Sequence, residues 1–427
     1  MPTEAEAEVR RRVQQRGRIT FAEFMEVALF WPRGGYYTSL DRIGPQGDFY
    51  TAPGAHPAFG ALLCLQLYQM WRLLGEPRPF TVVELGAGGG LLCHDILAAS
   101  VHLPPAFGQA LSPDRSGDSG QALRYLCLDR VPSHGHEVGL EEGLRQRVAR
   151  LAAEGVPLRG VTGCILSNEL VDSFPVHVVE QQDGRLREVY VTFEGDRLAE
   201  VLGEPSTPEL ERRIRTVGVS LPSGYRAEVN LALEEWVAQV AAALQRGFVL
   251  TVDYGDHAQG LYAPHRRRGT LTCYYEHTQT DSPYQRIGRQ DMSAFVDFTS
   301  LVEAGRHHGL EPAGFTTQRS FLTSLGLQRL VRRLALPQEG LSQPQQDANR
   351  MGMLDIARPG GLGEFRVLAQ AKGIEGAALW GFREEGAPAD EALAELLEAM
   401  PVPLLTSRHM PLLEGRYPHL AWHQGVY

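Results

Sequence analysis

Nine consecutive residues, Val82-Val83-Glu84-Leu85-Gly86-Ala87-Gly88-Gly89-Gly90, restrict the fold of this chain more than any other stretch. An apolar run closed by an acid and a glycine-rich turn reads as a strand, and Leu91-Leu92-Cys93-His94-Asp95-Ile96-Leu97-Ala98 after it reads as a helix. Doubly wound α/β proteins bind nucleotides at such a strand-to-helix turn. Glycine lets the backbone come close to a ligand and point its N–H groups at it. The dinucleotide pattern G-x-G-x-x-G needs glycine at 91, where this chain has Leu91. Glu84 stands where a carboxylate suits a cationic ligand better than a pyrophosphate. The sulfonium and α-ammonium of S-adenosylmethionine (SAM) meet that demand, so SAM is expected over a nicotinamide dinucleotide, with an ordinary glycine-rich turn as the bland alternative.

At 427 residues the chain has room for one large α/β domain with insertions, or for two domains. A hydrophobic fraction of 43% fits a globular protein, and a net charge of −10 gives no footprint for non-specific nucleic-acid binding. Cys64, Cys93, Cys127, Cys164 and Cys273 form no C-x-x-C pair, which argues against a disulfide framework or a zinc site. His134 with His136, and His307 with His308, lack the acid or cysteine partners of a metal site, so no metal is expected. No apolar run approaches the roughly 18 residues of a membrane span, and the acidic start Thr3-Glu4-Ala5-Glu6 resembles neither a signal peptide nor a transit peptide. A cytoplasmic location with no membrane or nucleic-acid partner is the expectation, and a homodimer is compatible with it.

Periodicity divides the chain into an N-terminal helical region (1–75), a Rossmann-like core (76–373) and a C-terminal helix and tail (374–427). Thr20 N-caps a helix carrying Phe21, Phe24, Met25, Ala28 and Leu29, and a second helix runs from about Pro57 to Leu74. Candidate parallel strands are Thr81–Leu85, Leu123–Leu128, Gly163–Ser167 and Gly247–Asp253, while Gly363–Gln370 reads as a strand of unassigned direction and Pro388–Met400 as a last helix. Insertions fall at 104–120, a polar loop, at 176–225, and at 256–300 on the substrate side. Within the second, 176–202 alternates as antiparallel strands turning at Gln182-Asp183-Gly184 and Glu194-Gly195-Asp196. This hairpin is either a substrate lid, or a plain decoration or dimer contact.

A SAM site needs an acid closing the next strand, where one carboxylate can accept both ribose hydroxyls, and Asp129 fits. The third strand runs into Ser167-Asn168-Glu169-Leu170-Val171-Asp172-Ser173-Phe174-Pro175-Val176. Asn168, Glu169 and Asp172 would there set an amide and two carboxylates beside a methyl donor, suited to hold a guanidinium or amine and to take its proton. The competing reading makes Asn168 and Asp172 helix caps. The run His265-Arg266-Arg267-Arg268 reads as a solvated loop, and Tyr254 and Phe49 as core aromatics with adenine stacking as the alternative.

Six motifs in order then resemble the MidA / NDUFAF-seven type family of class I SAM-dependent methyltransferases: Gly35-Tyr36-Tyr37, Gly47-Asp48-Phe49-Tyr50-Thr51-Ala52-Pro53, Glu84-Leu85-Gly86-Ala87-Gly88, Asn168 to Val176, Asp253-Tyr254-Gly255 and Asp291 to Phe298. The resemblance spans about 17 to 370. It implies a Rossmann-like methyltransferase core with helical and hairpin additions, and a protein arginine substrate in respiratory-complex assembly. By resemblance, Gly47, Asp48 and Thr51 close over SAM with Glu84, Gly86 and Gly88, while Asn168, Glu169 and Asp172 line the transfer site beside Asp253 and Tyr254. The chain departs from the family at Ala52-Pro53-Gly54-Ala55-His56, where polar groups are usual, and at Asp129, where Glu is common. Two alternatives share the cofactor: a small-molecule methyltransferase, and a SAM-binding scaffold protein without turnover.

Overall fold

Short strands rich in Val, Leu, Ile and Cys are apolar on both faces, so they belong inside a parallel sheet covered by helices. The computed structural model describes residues 2–38, 51–108, 122–131, 140, 142–275, 278–336, 340–384, 386–387 and 390–409. It divides into two compact units, one of Met1–Phe49, Glu169–Gln239 and Asp253–His308, the other of Tyr50–Asn168, Val240–Val252 and Gly309–Tyr427. The expected residues Gly47 and Asp48, the histidines 134 and 136, and the loop from 109 to 120 lie outside the described residues.

The second unit carries a seven-stranded sheet. Its strands are β1 (Phe80–Leu85), β2 (Leu123–Asp129), β3 (Val148–Ala152), β4 (Val161–Asn168), β5 (Leu244–Asp253), β6 (Glu311–Thr317) and β7 (Arg366–Lys372), in the spatial order 3-2-1-4-5-7-6. β1 pairs in parallel with β2 and β4, β3 with β2, and β5 with β4. β6 runs antiparallel to β7. The order reverses between β1 and β4, which makes their carboxyl ends the place for a ligand in a doubly wound sheet. The expected strands are thus present, most of them longer by one to three residues.

The strand expected at Gly363 begins only at Arg366. Leu362–Glu364 is a tight helical turn instead, where a Cβ on Gly363 would lie 2.6 Å from the Ala357 carbonyl carbon. The helix expected from Pro57 is Ala58–Leu73, and the turn after β1 opens the helix Leu91–Ser100. The last expected helix is Glu391–Ala399, N-capped by Asp390, which accepts from the Leu393 N–H. Among the described residues no helix is long and apolar enough to cross a membrane.

The first unit is antiparallel. Strands His177–Gln182, Arg185–Glu194 and Arg197–Gly203 form the expected meander with turns at Asp183-Gly184 and Gly195-Asp196. Arg226–Val229 and Ile19–Thr20 extend it. Helices Glu4–Arg16 and Phe21–Phe30 cover it, and Val9, Phe21, Phe24, Met25 and Leu29 pack with Val178, Val189 and Val191 in one core. Thr20 caps the second of these helices in a capping box with Glu23, worth roughly 1 kcal/mol.

Candidate active site

The chain leaves β1 at Glu84-Leu85 and must reverse into a helix within a few residues. Gly86, Gly88 and Gly90 all have positive φ, at 72°, 47° and 78°, which side chains resist. The turn is tied to β2: the Gly86 N–H donates to the Leu128 carbonyl at 2.9 Å, and the Gly88 N–H to Asp129 Oδ2 at 2.9 Å. Gly90 opens the helix Leu91–Ser100 in the left-handed region and has no side chain to cap it, so the helix start is suited to an anionic group. The second oxygen of Asp129 accepts from Val131 at 3.4 Å. Asp129, expected as the ribose acid, also organises the glycine turn.

Glu84 lies beneath this turn and is 4% exposed. The Tyr125 hydroxyl donates to its Oε2 at 2.8 Å. Burial pushes the Glu84 carboxyl up to about 8, and the Tyr125 hydrogen bond opposes this only in part. A cation bound above it would stabilise the carboxylate and release the proton. The donor set therefore suits SAM: an uncapped helix start for a carboxylate, an acid at Asp129 for a diol, and a buried acid at Glu84 that gains from positive charge. Thr51, expected over the cofactor, N-caps the short helix Ala52–Ala55 through the Gly54 N–H at 3.4 Å. Asn168 closes β4 beside Val252 of β5.

In the antiparallel unit the peptide after Asn168 continues into a strained bend. Glu169 has φ 51°, a conformation that residues with a Cβ adopt at some cost. Asp253 fixes the bend: its Oδ2 accepts from the Leu170 and Val171 N–H groups at 3.2 and 2.8 Å, and its Oδ1 from Tyr254 N–H at 2.9 Å. Asp172 sits in the helical turn Val171–Ser173 and is 7% exposed, and its carbonyl accepts from Ala294 N–H at 2.9 Å. The competing idea of Asp172 as a cap for a following helix fails, because extended chain from Phe174 leads into the strand at His177. Burial pushes the Asp172 carboxyl up to about 7, against hydrogen bonds from backbone N–H groups. Asp253 is displaced upward by burial and then by Asp172.

Asp291 and Tyr37 stand in the motifs of the sequence but carry no local signal of a role. Asp291 is fully buried on the strand Asp291–Ser293, and its charge acts on the Tyr37 hydroxyl. Burial, Asp291 and Asp172 together push the Tyr37 hydroxyl up. The unit thus brings together Glu169, Asp172, Asp253 and Asp291 with Tyr37, Tyr254 and Tyr274 as electrostatic neighbours. Tyr254 is half-buried and stacks on Phe295 with ring centroids 6.1 Å apart; Phe49 lies outside the described residues. Arg266 also departs from the solvated-loop reading, since its guanidinium lies 4.9 Å from the Phe295 ring centroid. Tyr125 was legible in principle, because it lies two residues before Cys127, the β2 partner of Glu84, and so on the same face.

A family model described as an S-adenosyl-L-methionine-dependent methyltransferase matches residues 62–316. The protein arginine methyltransferase NDUFAF7 homolog, mitochondrial, of Drosophila melanogaster is 29% identical over 87% of this chain and 86% of its own. The Rattus norvegicus protein arginine methyltransferase NDUFAF7 is 29% identical over 74% of this chain and 72% of its own. A Burkholderia thailandensis protein whose crystal structure holds S-adenosyl-homocysteine superposes with a TM-score of 0.76 at 26% identity, over 89% of this chain and 95% of that one.

Proposed function

Since this chain belongs to the S-adenosyl-L-methionine-dependent methyltransferases, we propose that its methyl acceptor is a protein nitrogen, the guanidinium of an arginine, in a protein of a respiratory-type complex. SAM supplies the methyl group on a positively charged sulfur. The observation that carries the acceptor is Asp172, a buried carboxyl that burial holds near neutrality. An entering guanidinium provides the counter-charge its ionisation lacks, and the planar N–H fork suits a carboxylate pair such as Glu169 and Asp172. Those two residues then orient the attacking nitrogen, and Asp172 accepts the proton that a methylated nitrogen must lose. A group titrating near neutrality fits that task. Asp253 contributes by rigidity, since three backbone N–H groups converge on it and set the bend from which Glu169 and Asp172 project. The names of the relatives, protein arginine methyltransferases, support the same reading.

The test is transfer of labelled methyl from SAM into proteins of a strain lacking this chain, followed by mass spectrometry of the labelled residue. Label on arginine that disappears with Asp172→Ala is the expected result. Label confined to small molecules, or undiminished turnover in Asp172→Ala, would refute it.

A further inference from the structure

The helix that begins at the glycine turn, Leu91–Ser100, carries at its second turn a buried acid that the substrate chemistry does not use. Asp95 has a side chain only 2% exposed, and both of its oxygens are engaged by histidines. His94 Nδ1 lies 2.9 Å from Oδ1, and His409 Nε2 lies 3.0 Å from Oδ2, joining positions 314 residues apart. The partners on the other ring nitrogens fix the protons. Arg408 Nη1 lies 3.2 Å from His94 Nε2, and a guanidinium can only donate, so Nε2 accepts and the proton sits on Nδ1 facing Asp95. The Thr406 N–H donates to His409 Nδ1 at 3.3 Å, which leaves the proton of that ring on Nε2, again facing Asp95.

The same segment is anchored a second time. The Leu405 N–H donates to Asn349 Oδ1 at 2.7 Å, inside the helix Gln343–Asp355. His56, fully buried, reaches the same oxygen through Nε2 at 3.3 Å while its Nδ1 accepts from Ala58 N–H. Opposite, the helix Ala58–Leu73 comes very close at Gly60, where a Cβ would stand 2.5 Å from Asp95 Cβ. Burial works to raise the Asp95 carboxyl, and the hydrogen bonds from His409 and His94 overcome it, so the group is ionised. A contact needed only for stability is made more cheaply with apolar side chains, whereas a buried ion held by two oriented rings specifies one geometry.

We propose that residues 405–409 act as a clasp on the helix Leu91–Ser100, with Asp95, His94, Arg408 and His409 as positioning residues that set the Gly86–Gly90 turn for SAM. The clasp touches no reacting atom. It acts through the helix, so the affinity for the cofactor falls when it is opened, and cofactor binding in turn tightens the clasp.

The experiment is titration calorimetry of the full-length protein with S-adenosyl-homocysteine, whose binding does not depend on the identity of the acceptor. His409→Ala is expected to weaken binding about tenfold, and His409→Gln, which keeps an N–H donor in the Nε2 position, to return it to within about threefold of the parent. Amide exchange over 86–95 should rise in the alanine variant and not in the glutamine variant. Arg408→Ala, at a half-exposed site, is expected to fold and to weaken binding about threefold. Unchanged binding in Arg408→Ala, or in a folded His409→Ala whose melting temperature alone has dropped, would overturn the proposal. So would a glutamine variant no better than alanine.

Discussion

Replacing Asp172 by asparagine keeps the shape of the side chain and removes its titration. In the native protein its carboxyl moves from an ordinary 3.8 up to about 7, with burial as the main cause. At about 1.4 kcal/mol for each pKa unit, that displacement corresponds to about 4 kcal/mol between the two protonation states. The sign follows from which state holds the proton. Between about pH 4 and about pH 7 the native chain keeps it and the unfolded chain has lost it, so this group's contribution to stability falls as pH rises and levels off above about 7. Asparagine has no such loss. The variant's stability relative to the parent should therefore increase by about 2.5 kcal/mol from about pH 5 to about pH 8, whatever fixed cost the amide carries at both. Asp253 adds in the same direction, because it loses a charged neighbour that pushed it upward. Urea unfolding midpoints for both proteins at a series of pH values measure the difference. If the gap between them stays flat to within about 1 kcal/mol over that range, Asp172 titrates as an ordinary carboxylate and its proposed role as proton acceptor loses its basis.

Three further outcomes follow from the cofactor turn. Tyr125→Phe removes the hydroxyl that donates to Glu84 at 2.8 Å, and should weaken SAM binding at neutral pH by roughly tenfold in calorimetry. With Glu84 displaced up to about 8, cofactor affinity should rise as pH increases through about 8, with one proton released on binding; Glu84→Gln should abolish both the slope and the release, read as the dependence of binding heat on buffer. Asp129→Ala takes the acceptor from the Gly88 N–H, and should raise the KM for SAM by roughly tenfold or more while the acceptor KM is unchanged.

Local pattern made much of the fold legible. The parallel strands announced themselves as short apolar runs, and the meander at 177–203 as alternation broken by Asp183-Gly184 and Gly195-Asp196. Both signals have a period of a few residues, so a window of ten reads them. Asp129 and Glu84 were legible for the same reason, since each closes a strand. What escaped was long-range. Tyr37 and Asp291 stand about 250 positions apart, and His409 and Asp95 more than 300, and nothing in either neighbourhood refers to the other. Strand order escaped as well, because an apolar run states that a strand is buried and not which strands flank it. The placement of β7 between β5 and β6 is a property of the whole sheet.

That placement bears on how the chain is made. β5 is complete at residue 253, yet β7, its neighbour in the sheet, ends at 372. While the polypeptide emerges, one side of β5 waits as an unpaired, apolar edge for more than a hundred residues of synthesis, a period in which another nascent chain can pair with it. Release from the ribosome before Lys372 would leave that edge permanently open, so premature termination anywhere between 253 and 372 should yield aggregates in place of a smaller working enzyme.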